Sequence, residues 1–252
     1  MKSLDELRLS NKKVIIFDLD GTLIDSIGVW NMTDRKLIYD YSGISVDLDY
    51  VQEDRNYFLN NNPSSDIYIA YCEYLINKYK LNITSPNELS NIRKDIANKV
   101  LKSEIGFKPD VTKLISKLKD LGYILVLATV TTQEQLEVYY KENQRMLNEM
   151  NVEEVFDLII TKETVIKKKP DPEVYFKIME HFGVNPSECL IFEDSYTGVL
   201  AANGAGIEVI NIYDKYSDID RDKINNITDY FIENYEEFIN KCLKDNKRLI
   251  KI

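Results

Sequence analysis

A chain of 252 residues, 44% hydrophobic and 29% charged, has the balance of a globular protein with a full core and room for one domain carrying a large insertion. Its net charge of -10 argues against nonspecific nucleic-acid binding, which needs a basic face, yet leaves a phosphate substrate open because local cations can outvote the total. Three cysteines without C-x-x-C spacing, no signal-peptide core at the amino terminus and no membrane-spanning run lead to the expectation of a cytoplasmic protein with no membrane partner.

The first apolar run, Val14-Ile15-Ile16-Phe17, reads as a buried strand because it runs into Asp18, Asp20 and then Gly21, which suits a sharp exit. Acids one residue apart on an extended chain face opposite ways. At a strand's end, where the backbone turns, both can reach one pocket. That arrangement suits a nucleophile plus a general acid, with a divalent cation between them.

From about 25 to 104 the pattern is helical, with no convincing strand. One helix is expected over 26–41, with Ile27, Trp30, Leu37, Ile38 and Tyr41 apolar, and another over 67–81. Ser85-Pro86-Asn87-Glu88 forms a cap for a third, which runs through Leu89, Ile92, Ile96 and Val100. Arg55 reads as lying in a loop and making a surface ion pair. Most of Tyr39, Tyr41, Tyr50, Tyr57, Tyr68, Tyr71, Tyr74 and Tyr79 read as packing.

From Lys108 strands and helices alternate. Pro109 opens an apolar-striped helix ending at Gly122, and 124–129 is the next strand. Thr132 to Gln135 forms a capping box opening a long helix to about Met150. Strands follow at 158–161, 189–192, 207–212 and 230–232, and helices from Asp171-Pro172, over 197–205 and over 235–243. The only histidine, His181, sits mid-helix beside Met179 and Phe182 and reads as structural, which shifts any catalytic burden to carboxylates, lysine and hydroxyls. The fold class is therefore α/β: a doubly wound parallel sheet with an inserted all-helical module, the core being 1–24 with 105–252 and the insertion 25–104.

Ligands of open parallel sheets sit beyond the carboxyl ends of the strands. Asp18, Asp20, Thr129, Glu193 and Asp194 fall at such ends, and Lys169 in the connection after the third strand, held by Pro170-Asp171-Pro172. Carboxylates converging without a cation would repel one another, a conflict that a hard divalent ion with oxygen ligands, Mg2+, resolves.

The order Phe17-Asp18-Leu19-Asp20-Gly21-Thr22, Leu127-Ala128-Thr129, Lys169-Pro170-Asp171-Pro172 and Phe192-Glu193-Asp194-Ser195, with Gly198 and Ala201-Ala202 after it, resembles the four motifs of the haloacid dehalogenase superfamily. The helical insertion after the first motif is similar to the C1 cap of subfamily I, in its phosphoglycolate phosphatase and beta-phosphoglucomutase-like branch. The resemblance implies a phosphatase acting on a small-molecule phosphate ester through an aspartyl-phosphate. Asp18 would attack phosphorus, and Asp20 would act as acid and then as base. Thr129 and Lys169 would hold the transferring oxygens, with Gly21, Thr22 and Ser26 also against the substrate. Asp18, the Asp20 carbonyl and Asp194 would bind Mg2+, with Glu193 a direct ligand or one shell out, and the cap would close over the substrate.

Asp20 favours phosphate esters over the dehalogenase and phosphonate-cleaving branches, which lack an aspartate there. A sugar phosphomutase is one alternative, although Trp30 stands where that branch carries a histidine. A catalytically weak binding relative is the other. The tyrosine-rich cap with few arginines suggests a neutral leaving group, a sugar or polyol with a nucleoside next, and a monomer is the default.

Overall fold

The computed structural model describes residues 1–243, which fall into two compact units: 1–26 with the chain from 106 onward, and 27–105. The first unit opens with β1 (Val14–Phe17), every residue of which is buried, as a central strand covered on both faces requires. The second unit holds α1 (Val29–Ser42), α2 (Leu48–Asn61), α3 (Ile67–Tyr79) and α4 (Pro86–Ser103). The first unit resumes with α5 (Val111–Asp120), β2 (Ile124–Ala128), α6 (Gln133–Glu137), a π-helical turn (Val138–Glu142), α7 (Gln144–Glu149), α8 (Val152–Val155) and β3 (Leu158–Ile160). It continues through α9 (Glu173–Phe182), β4 (Cys189–Glu193), α10 (Tyr196–Gly204), β5 (Glu208–Ile212), α11 (Arg221–Ile227), β6 (Tyr230–Ile232) and α12 (Tyr235–Cys242). Among the described residues no helix is long and apolar enough to cross a membrane.

The six strands form one sheet in the order β3-β2-β1-β4-β5-β6, every pairing parallel. The chain runs outward in opposite directions on the two sides of β1, so the crevice for a ligand lies at the carboxyl end of β1 and β4. Register sets what stands there: Phe17 pairs with Leu127 on one side and Phe192 on the other. The residues that follow, Asp18, Ala128 and Glu193, therefore emerge level with one another.

Alternation along the strands divides the core. Val14, Ile16, Val126, Ala128, Cys189 and Ile191 pack with Val174, Tyr175, Ile178 and Met179 of α9 and with Val199, Ala201 and Ala202 of α10. On the opposite face Phe17 stacks on Phe192 at 4.8 Å, and Phe192 meets Phe238 of α12 edge to face at 5.0 Å. The chain leaving the first unit runs beside the chain returning to it: Ile24 bridges Phe107, Asp25 N donates to Gly106 O at 3.2 Å and Lys108 N to Leu23 O at 2.8 Å.

Several local expectations need correction. Arg55 lies in helix α2, not in a loop. That helix has only Val51 as a buried apolar residue, too little for a stripe, and the usable signal was Asp47, whose carboxylate accepts from Asp49 N at 2.8 Å. The expected single helix from Thr132 to about Met150 is interrupted by the π turn, although Thr132 does cap its start by accepting from Gln135 N. His181 is not mid-helix but exposed in the last turn of α9, edge-on to Phe182. Of the cap tyrosines only Tyr71 and Tyr79 are buried, while Tyr39, Tyr50, Tyr57 and Tyr68 are exposed. Helices α8 and α11 had no counterpart in the sequence reading.

The helical unit is organised around a buried ion pair. Arg93 Nε donates to Asp34 Oδ1 at 2.6 Å and its Nη2 to Oδ2 at 3.1 Å, and Tyr71 adds its hydroxyl to Oδ2 at 3.1 Å. The guanidinium also lies 4.8 Å from the centre of the Trp30 ring and 5.1 Å from that of Tyr71. Helices α1, α3 and α4 are thus tied through one carboxylate. Asp34→Ala strands the arginine charge in the interior, a change expected to cost about 3–5 kcal/mol. Trp30, the only tryptophan of the chain, reports on this cluster, so urea unfolding followed by its fluorescence should show a clearly lowered midpoint. An unchanged midpoint would remove the pair from its organising role.

Candidate active site

Asp18 is fixed first through its backbone: its N–H continues the β1–β4 ladder by donating to Phe192 O at 3.0 Å. Its carboxylate is buried, and Oδ1 accepts from Lys169 Nζ at 2.7 Å. The same ammonium donates to Ala128 O at 3.0 Å and to Glu193 Oε2 at 2.8 Å, so its three protons are all engaged. One lysine thereby links the ends of β1, β2 and β4.

Glu193 ends β4 and turns its other oxygen to the following loop, where Oε1 accepts from Ser195 N at 3.1 Å, Ser195 Oγ at 2.8 Å and Asp194 N at 3.2 Å. Gly198 makes room for that carboxylate, since a Cβ built at 198 would overlap it. Asp194 is buried as well; Thr22 Oγ1 donates to its Oδ1 at 2.8 Å and Ser217 Oγ to its Oδ2 at 3.2 Å. The backbone of this acidic loop is pinned from β5, where Asn211 Nδ2 donates to Glu193 O at 2.9 Å and Asp194 O at 3.1 Å. Arg221 Nη1 holds Asn211 Oδ1 in turn at 2.8 Å.

Gly21 takes φ 83, the left-handed turn that lets the chain double back after Asp20. The Asp20 carboxylate is half-buried and receives hydroxyl protons from Ser26, Thr131 and Tyr139. Thr129 follows β2 with its N–H on Ile160 O, and its Oγ1 accepts from Thr131 N at 3.0 Å.

Asp18, Lys169, Glu193 and Asp194 thus converge directly, while Ser26 stands on Asp20, and Gly21 and Thr129 lie at the same sheet edge. Thr22, expected against the substrate, is instead buried with its hydroxyl on Asp194. The sequence reading missed Thr131, Tyr139, Asn211, Ser217 and Arg221. Asn211 left a signal, a lone amide within an apolar strand, whereas the others depend on tertiary placement.

One oxygen from each of Asp18, Glu193 and Asp194 lies within 4.8 Å of the others. Burial, then the charge of Glu193, push the Asp18 carboxyl well above the usual range against the pull of Lys169. Burial and Glu193 likewise push Asp194 up to about 8. Burial works against the Lys169 charge, but Asp18 and Glu193 outweigh it and hold the ammonium charged. Three buried carboxylates against one ammonium leave two formal negative charges unmatched. The donor set is all oxygen, and a hard divalent cation fits it in both charge and ligand type.

The description haloacid dehalogenase-like hydrolase matches residues 15–212 of the chain. A phosphorylated carbohydrates phosphatase of Thermotoga maritima is 28% identical over 201 residues, covering 79% of this chain and 83% of the relative. A phosphoglycolate phosphatase of Colwellia psychrerythraea is 25% identical over 206 residues, covering 82% of this chain and 86% of its own length. A crystal structure from Thermotoga maritima assigned as a beta-phosphoglucomutase superposes with a TM-score of 0.70 at 25% identity, covering 90% of this chain and 97% of that one.

Because Asp194 binds its proton more tightly folded than unfolded, where a carboxyl ionises near about 3.9, folding takes up a proton between those values. The metal-free protein should therefore lose stability as pH rises from about 4 towards about 8. A divalent cation held there would have to displace that proton, and should therefore stabilise more at pH 8.5 than at pH 6. Thermal melts with EDTA and with Mg2+ at the two pH values check both signs, and equal Mg2+ shifts would contradict the assignment.

Proposed function

The chain belongs to the haloacid dehalogenase-like hydrolases, and from that premise we propose that it is a Mg2+-dependent phosphatase hydrolysing small phosphate monoesters through a phosphoryl group carried on Asp18. The observation that carries this reading is the pairing of a buried Asp18 with Lys169 at the carboxyl edge of the sheet, beside Asp194.

An oxygen of Asp18 forms a bond to phosphorus as the ester O–P bond breaks. Asp20 gives its proton to the departing alkoxide, then takes one from the water that attacks the phosphoryl-aspartate and releases phosphate. Lys169, oriented by Glu193 and Ala128 O, and the Thr129 hydroxyl balance charge on the transferred oxygens. Asp18, Asp194 and the main-chain carbonyl of Asp20 would hold Mg2+, which supplies the positive charge that lets an anionic nucleophile approach an anionic substrate. Glu193 accepts the Lys169 ammonium on one oxygen and three donors on the other, whereas each Asp194 oxygen accepts a single hydroxyl, and we assign Glu193 to holding Lys169 and the Ser195 turn rather than to direct ligation.

A neutral leaving group, a sugar or polyol, is the reading we favour for the substrate. Consistent with it, two cations of the helical unit are engaged within that unit, Arg93 by Asp34 and Lys78 by Asp54. The relative acting on phosphorylated carbohydrates is in keeping with it. Trp30 at the position of the mutase histidine favours hydrolysis over isomerisation.

With p-nitrophenyl phosphate and Mg2+ we expect phosphate release that EDTA abolishes and that Asp18→Asn lowers by at least about a thousandfold. Activity retained by that variant would sink the mechanism. A panel of phosphate monoesters tests the substrate reading, which fails if only strongly anionic or acyl phosphates are cleaved.

A further inference from the structure

The carboxylate of Asp20 stands on a loop and has a terminal torsion that is intrinsically broad. Its plane is therefore set by its partners. Ser26 and Tyr139 donate to Oδ1, the phenol across 3.1 Å, and Thr131 donates to Oδ2. Tyr139 differs from the other two in being large and buried, with its phenol fixed by its ring. Gln135 Nε2 lies 3.5 Å from the phenol oxygen as a weak donor, which leaves the hydroxyl proton to Asp20. Burial and the Asp20 charge push the phenol far above its ordinary range, so it keeps that proton throughout the working pH range.

The π turn provides this placement. Asn143 N donates to Val138 O at 3.1 Å, closing a wider loop than an α-turn, and Asn143, itself buried, starts α7 by accepting from Met146 N. Single π turns within helices concentrate at functional sites. Here the turn carries Tyr139, whose hydroxyl meets the carboxylate.

We propose that Tyr139 is a positioning residue for Asp20, holding its carboxylate in the plane from which it gives a proton to the leaving oxygen and later takes one from water. The phenol proton itself does not transfer. This rests on the phosphatase reading above.

The test is rapid-quench kinetics of the Mg2+-loaded enzyme and of Tyr139→Phe. p-Nitrophenolate leaves without a proton, so with this substrate Asp20 is needed only when the phosphoryl-aspartate is hydrolysed. Tyr139→Phe should release its first equivalent of nitrophenolate within about twofold of the parent rate, turn over about tenfold more slowly and accumulate phosphoenzyme. With glycerol phosphate, whose alkoxide needs the proton, kcat should fall by a similar factor with KM little changed. First release slowed as much as turnover would mean general damage and overturn the proposal, as would no change in either. Tyr139→Leu, which removes the phenol with a smaller side chain, serves if Tyr139→Phe does not fold: slower turnover with intact first release supports the proposal, and any other pattern overturns it. If the parent enzyme forms no phosphoenzyme, the phosphatase mechanism fails and this inference falls with it. A parent phosphoenzyme with no selective slowing in the variants refutes the Tyr139 role alone.

Discussion

Burying three carboxylates within one cation's reach is the constraint around which the core unit is built. Lys169 offsets part of that charge, and its placement depends on a lysine reaching across the ends of three strands at once. Much of the surrounding polar structure serves to keep this unfavourable grouping in place. Thr22 and Ser217 each take one oxygen of Asp194, Asn211 clamps the carbonyls of the acidic loop, and Arg221 holds Asn211. Even with these partners burial favours protons on Asp18 and Asp194, and a divalent cation held there would have to displace them.

The helical unit shows the same physics for a different purpose. Asp34 and Arg93 are both removed from water, but each is matched by the other in a two-pronged contact, and Tyr71 supplies a further donor. Charge there is complete within the unit and holds helices together. At the sheet edge it is left incomplete, which is what distinguishes a chemical site from a structural pair.

Much of this was legible in the sequence because the signals are local. Apolar runs ending in acids mark central strands of a parallel sheet, and register then fixes which residues emerge side by side. Lys169 could be singled out from its neighbours Lys167 and Lys168 only by the prolines after it. Features that depend on where a side chain points were beyond reach. Thr22 follows the acidic motif in sequence yet turns inward to Asp194, and Tyr139 reaches Asp20 across 119 positions by way of a π turn that leaves no compositional mark. Helix α2 escaped because it hides one apolar residue, and helical periodicity is detectable only when a face is buried. Arg93 was passed over, although it falls on the buried side of α4 with Leu89, Ile96 and Val100, where an unmatched charge is rare.

The contact between Gly198 and Glu193 reaches beyond this single chain. The space beside α10 is filled by the carboxylate of a residue five positions earlier, so the two sites share one volume and cannot drift independently. A lineage that enlarges residue 198 must first shorten residue 193, and the intermediate that reverses that order meets a collision inside the sheet edge. Paired substitution at these two positions is thus the evolutionary signature that this packing would leave among descendants of the fold.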